Sequence, residues 1–166
     1  MTIQTFIRPV RLAIVVSRFE EEETTTDLLG GAQAYLAEQG AAVDEGDIFE
    51  APGAFDLPLI AQTLARTGRY EGVICLGRLI KGAAADDDLI SLEVNQGLLS
   101  ASLTSETPIS FGVLTPQADA ADGKGRQAAR ACHETALMLR RIREGETRIT
   151  PGALEGGEFL DQLVHG

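Results

Sequence analysis

Short apolar, β-branched runs alternate along this chain with longer segments of helical period, a pattern that suits a parallel sheet covered by helices better than any other common architecture. Residues 11–17 (RLAIVVS) are apolar almost throughout, as a strand buried on both faces must be. A helix is expected next, starting in the cluster Thr24, Thr25 and Thr26, whose hydroxyls suit an N-cap. Leu28, Ala32, Tyr35 and Leu36 share one face of it, and Gly40 can end it. The spacing further predicts strands over 47–50, 72–76 and 109–114, and helices over 55–67, 86–103 and 127–143, with Leu89, Val94 and Leu98 as core residues of the third helix. Four βα units follow. Right-handed crossovers fold them into a three-layer α/β/α sandwich whose ligands lie at the carboxyl ends of the strands, where loops begin at Arg18, Ala51, Gly77 and Thr115. Residues 1–145 are expected to form the domain and residues 146–166, a segment containing Gly and Pro, a C-terminal extension.

Composition narrows the functions open to such a fold. A formal net charge of -11 opposes a phosphate-backbone partner, so nucleic acid is not expected. No apolar run reaches the roughly 18 residues of a membrane span, and the first residues lack the basic flank and apolar stretch of a leader, which predicts a cytoplasmic protein with no membrane partner. Cys75 lies in an apolar run and Cys132 in a helical pattern, so buried free thiols are expected rather than a bridge. Two histidines, His133 and His165, with no Cys/His pairing at ligand spacing, leave no structural zinc site.

Five segments in order, SRF (17–19), PGAFDLP (52–58), LGRLIKG (76–82), EVNQGL (93–98) and PISFGVLT (108–115), give the chain its resemblance to the 6,7-dimethyl-8-ribityllumazine synthase family over residues 11–143. The resemblance implies a flavodoxin-like, four-stranded parallel sheet and a homopentamer, in some members extended to a decamer or an icosahedral shell, with active sites between subunits. It implies condensation of 5-amino-6-ribitylamino-uracil with 3,4-dihydroxy-2-butanone 4-phosphate, with loss of water and phosphate and with no metal or redox cofactor, a reaction in which proximity carries much of the catalysis. By the same resemblance Phe19 stacks on the pyrimidine ring of a pyrimidine, lumazine or flavin ligand. Ala54 and Phe55 hold the uracil-bearing substrate, and Asp56 stands where a Glu usually binds ribityl hydroxyls. Leu79 and Ile80 present backbone groups to the heterocycle, and Phe111 closes the pocket of a neighbouring subunit. Each position also has a plainer reading: core packing for Phe19, Leu79, Ile80 and Phe111, and helix capping for Asp56.

Two departures bear on the chemistry. After LGRLIKG the chain runs Ala83-Ala84-Ala85-Asp86-Asp87-Asp88, so Ala83 keeps its place in the phosphate turn, Ala84 replaces a Thr and Asp86 replaces the acid/base His. An imidazole titrates near pH 6.5, whereas an ordinary Asp near 3.9 is ionised at neutrality, which makes Asp86 a weak substitute. The loop 115–125 is also shorter than the family's and lacks its phosphate-clamping arginine, leaving Lys124 of the turn and Arg126 near it as the available cations. Carboxylates beside a phosphate repel it by roughly 4 kcal/mol at about 4 Å and an effective dielectric near 20, so weak binding of a phosphorylated substrate is expected. Asp86, Asp87 and Asp88 equally suit the start of the third helix, where negative charge is favoured; a divalent cation is a third reading. The expected function is therefore lumazine synthesis. The alternatives are a ligand-binding or shell-forming homologue without catalysis, and an enzyme condensing an amine with a carbonyl compound that lacks phosphate.

Overall fold

A computed structural model describes residues 8–18, 22–79, 87–114 and 121–145. Their order is β1 (Leu12–Ser17), α1 (Glu22–Glu38), a 3-10 turn (Glu45–Asp47), β2 (Ile48–Ala51), a second 3-10 turn (Ala54–Asp56), α2 (Leu57–Arg66), β3 (Gly72–Arg78), α3 (Asp87–Ser105), β4 (Ile109–Leu114) and α4 (Ala121–Arg143). All pairings are parallel, in the order β2-β1-β3-β4, so β1 and β3 are central and β2 and β4 form the edges.

Side chains of successive strand residues point to opposite faces, and the central strands supply both cores. Leu12, Ile14, Val16, Ile74 and Leu76 pack with Leu28, Tyr35 and Leu36 of α1 and Ala129 and Cys132 of α4. Ala13, Val15, Val73 and Cys75 pack on the other face with Leu57 and Leu64 of α2 and Val94 and Leu98 of α3. Full burial of Ala13, Ile14 and Val15 explains why the sequence there shows a continuous apolar run rather than alternation. Cys75 and Cys132 belong to opposite faces and both are free, as expected. Burial pushes the Cys132 thiol up to about 12, so it is an inert apolar packing group at neutral pH.

Several boundaries differ from expectation. Helix α1 begins at Glu22, which places the three threonines inside its first turns rather than at its cap. It ends as expected: Gly40 takes φ +68°, its N–H binds Ala37 O at 3.1 Å, and Ala41 N–H binds Leu36 O at 2.8 Å, the paired bonds of a Schellman end. Helix α4 starts at Ala121, six positions before the expected 127, so Lys124 sits on a helix and not in a turn. Gly125 has a packing role: a Cβ there would lie 1.9 Å from the Leu28 carbonyl oxygen, so only glycine lets α4 approach α1 this closely. Leu89, expected in the core, is 53% exposed, because it lies on the side of α3 that faces away from this chain's own sheet.

Candidate functional site

The sheet order fixes where a ligand can enter. From β1 the chain runs outward to β2, and from β3 it runs outward to β4 on the other side, so the connections diverge above the carboxyl ends of β1 and β3. Such a divergence opens a crevice. Around it stand Ser17 and Arg18 at the end of β1, Ala51 at the end of β2, and Arg78 and Leu79 at the end of β3.

The β2 side of the crevice is a tight corner. Arg18 N–H donates to Ala51 O at 2.7 Å, and Asp56 N–H closes a turn on Gly53 O at 3.2 Å. This holds Ala54 half-buried and leaves the side chains of Phe55 and Asp56 exposed, with Pro58 in the first turn of α2. Asp56 occupies the N-cap position of α2, yet its backbone is helical (φ -86°, ψ -12°) rather than extended, and its carboxylate makes no capping bond. The capping reading thus loses its hydrogen bond, and the carboxylate stays open to solvent.

On the β3 side, Leu79 is buried in the core shared with α2 and α3, and its N–H is taken by Leu114 O at 2.9 Å. Packing therefore accounts for its side chain, and its N–H is taken up within the sheet. Ser17 is wholly buried, and its hydroxyl has no hydrogen-bond partner among the described residues.

The remaining expected residues lie elsewhere. Phe111, on the edge strand β4, is 36% exposed, and with Lys124, Gln127 and Ser110 it lines a groove of about 370 Å³ between β4 and α4. Phe111 lies three residues short of the strand's end, about 10 Å below the carboxyl rim. Arg126 points away from the crevice: its Nη1 donates to Glu38 Oε1 at 3.0 Å, its Nη2 donates to Glu38 Oε2, and its guanidinium lies 5.5 Å from the Tyr35 ring centroid. The bond from Arg126 holds the Glu38 carboxyl below its usual range. Arg126 thus ties α4 to α1 in the subunit and is engaged there by Glu38, although the sequence offered it as an available cation for the phosphate. Phe19, Ile80, Ala83, Ala84 and Asp86 lie outside the described residues, and Asp87 begins α3. Sequence reasoning passed over Ser17, Arg18 and Arg78, which only the strand pairing brings to one rim.

Among the described residues no group of three His, Cys, Asp or Glu could hold a metal ion, and no helix is long and apolar enough to cross a membrane.

Comparison with known proteins matches residues 9–140 to the family described as 6,7-dimethyl-8-ribityllumazine synthase. The chain is 56% identical over 145 residues to 6,7-dimethyl-8-ribityllumazine synthase 1 of Caulobacter vibrioides, covering 82% of this chain and 94% of that one. It is 40% identical over 141 residues to the 6,7-dimethyl-8-ribityllumazine synthase of Salinibacter ruber, with 80% and 90% covered. Against that of Nitratidesulfovibrio vulgaris it is 37% identical over 142 residues, again with 80% and 90% covered.

Proposed function

The chain belongs to the 6,7-dimethyl-8-ribityllumazine synthase family and has the lumazine synthase function of riboflavin biosynthesis, and from that premise we propose that its working site is a crevice shared by two copies of the chain. The supporting observation is the separation of Phe111 and Lys124, on an edge groove, from the corner of Ala54, Phe55 and Asp56 at the other end of the carboxyl rim. One copy supplies the corner, Phe19 to stack on the pyrimidine, and the backbone of Leu79 and Ile80. The neighbour supplies Phe111 as the apolar wall and Lys124 as a cation.

In this arrangement 5-amino-6-ribitylamino-uracil binds by stacking and by Asp56 to its ribityl chain, and 3,4-dihydroxy-2-butanone 4-phosphate binds beside it at Ala83 and Ala84. Holding the amine against the carbonyl replaces a bimolecular encounter and carries most of the rate. Asp86 stands where the family has a His, and a carboxylate is by its chemistry a better proton acceptor than donor at neutral pH. The missing donor predicts a turnover slower than the family's by about ten- to a hundredfold.

The shared site requires an assembly, which we take to be a homopentamer. Leu89, Leu92, Leu99 and Leu103 are exposed on α3 at spacings of three, seven and four, with Gln96 between them, a heptad stripe suited to a neighbouring helix. Purified protein given both substrates should form the lumazine, detected by absorbance and mass, faster than the uncatalysed mixture. A rate equal to the uncatalysed one would overturn the reading.

A further inference from the structure

We propose that the Ser17 hydroxyl is a specificity-determining contact for the edge of the pyrimidinedione ring, set into the back wall of the corner formed by Ala51, Ala54 and Leu57; the ligand named here rests on the lumazine synthase reading.

Ser17 is the last residue of β1, so it stands at the carboxyl rim where the crevice opens. Two observations fix its face. Ser17 pairs with Ala51 of β2, and Ala51 packs in the core under α2 and α3. Val15, two residues earlier on β1, belongs to that same core, and a strand returns to one face every second residue. The hydroxyl is therefore directed to the side of the rim that carries Ala54, Leu57 and Leu79, three apolar side chains packed in or against that core.

That hydroxyl is left unanswered. Ser17 has no exposed surface, and its Oγ has no hydrogen-bond partner among the described residues. The backbone donors around the corner are already used: Arg18 N–H on Ala51 O at 2.7 Å, Asp56 N–H on Gly53 O at 3.2 Å and Leu79 N–H on Leu114 O at 2.9 Å. Three other buried polar atoms lack partners among the described residues, on Thr25, Asn95 and His133, and all three belong to helices; that of Ser17 lies at the carboxyl end of a strand. Stripping a hydroxyl of water without supplying a partner costs stability, and alanine would fill the same place without that cost. A ligand at the crevice supplies the partner. The edge of a pyrimidinedione alternates carbonyl oxygens with N–H groups, and one rotating hydroxyl can donate to a ring carbonyl and accept from the N–H beside it, which the apolar wall cannot do. Because the hydroxyl is closed over, it is met by a ring pressed into the corner and not by a molecule passing the rim. A bond made in so dry a wall discriminates, since a ring without the matching group leaves Ser17 unpaired.

Binding and folding stability should therefore respond to Ser17 in opposite directions.

The test uses the full-length protein with Ser17→Ala and Ser17→Cys, 6,7-dimethyl-8-ribityllumazine binding by calorimetry, KM for each substrate separately, and the melting temperature. Without ligand, Ser17→Ala is expected to melt at or above the wild-type temperature, since it removes an unpaired polar group. It should nevertheless bind the lumazine about tenfold more weakly and raise KM for the aminouracil by a similar factor, the loss of about one buried hydrogen bond. KM for the butanone phosphate should stay within about twofold of wild type. Ser17→Cys, close in shape but a weaker hydrogen-bonding group, should fall between wild type and Ser17→Ala. Equal rises in both KM values with a lowered melting temperature would assign Ser17 a structural role and overturn the proposal. If Ser17→Ala does not fold, Ser17→Cys carries the same comparison. Lumazine formation with lumazine affinity unchanged in both variants sinks the Ser17 contact and leaves the enzyme reading intact. Ser17-dependent lumazine binding without lumazine formation does the reverse.

Discussion

On the side of the sheet covered by α1 and α4, the helices meet so closely that Gly125 touches the Leu28 backbone, and the Arg126–Glu38 pair and the Tyr35–His133 edge contact at 5.9 Å line their junction. On the side covered by α2 and α3, the inner surfaces are equally well buried, yet Leu59, Leu89, Leu92, Leu99 and Leu103 remain exposed. The first layer leaves only Met138 and Ile142 exposed among its large apolar side chains, both near the end of α4, whereas the second keeps a longer apolar surface turned outward along α3. Exposed leucines on a heptad repeat are costly to leave in water, and under the proposed shared site this face is the one that meets another copy. The two faces divide stability and assembly between them, and substitutions should separate the two properties.

The largest effect is expected on assembly. Leu99→Glu places a charge in the middle of the α3 stripe, away from this chain's own core, and should convert the oligomer to monomers on light scattering while the circular dichroism of the folded subunit persists. An unchanged mass would show that the stripe is not the contact surface.

Gly125→Ala should act on the other face, reducing unfolding free energy by more than about 3 kcal/mol in urea because the added carbon has no room. Intrinsic helix propensity alone would instead favour alanine by about 1 kcal/mol, so the sign of the change tests the close approach of α1 and α4. Gly123, with open space around its Cα, provides the contrast: Gly123→Ala should be neutral or mildly stabilising.

A smaller, pH-dependent effect is expected from His133. Burial between α1 and α4 lowers its pKa below 6.5, and its Nδ1 has no partner among the described residues. Tyr35 faces it from α1, and Glu134 and Arg140 act on it from α4. With the folded value lowered, the unfolded chain takes up the proton first, so stability is complete above the unfolded pKa and declines as pH falls below about 6.5. Urea midpoints measured from pH 8 to 5.5 should show this slope in wild type and a flatter one in His133→Leu.

The apolar runs announced four strands, and for β4 even its limits; burial on both faces explains the unbroken run of β1, whereas the edge strands β2 and β4 carry exposed Glu50 and Phe111. The start of α4 was hidden because Gly123 and Gly125 look like turn residues in one dimension, and only the position of Leu28 reveals why a glycine is needed inside a helix. Leu89 had the right chemistry for a core, but helical period says which residues share a face and not whether the same chain covers that face. The candidate site was visible in part: the corner around Ala54, Phe55 and Asp56 and the exposed Phe111 carry recognisable motifs. The meeting of the ends of β1 and β3 was not, since it depends on a register between strands that are separated in sequence by a helix, a strand and another helix. Arg126 was misplaced for a similar reason, its partner Glu38 lying on the far end of α1.

The cluster around Arg140 has a consequence for the order in which the protein can be made. Its guanidinium donates to both carboxylate oxygens of Glu71 and, at 2.6 Å, to the carbonyl of Arg8, while Arg8 Nη1 reaches Glu71 Oε1 at 3.0 Å. Burial alone would raise the Glu71 carboxyl, but the bonds from Arg140 and the Arg11 N–H, with the charges of Arg140 and Arg8, hold it below its usual range. One knot therefore joins the beginning, middle and end of the domain. A ribosome releases these parts in sequence, and the first strand must wait for nearly the whole domain to be translated before its root can be tied. Contacts of such long sequence separation slow folding, so the half-made chain, with two strand edges and an uncovered layer, is the species most in need of protection in the cell.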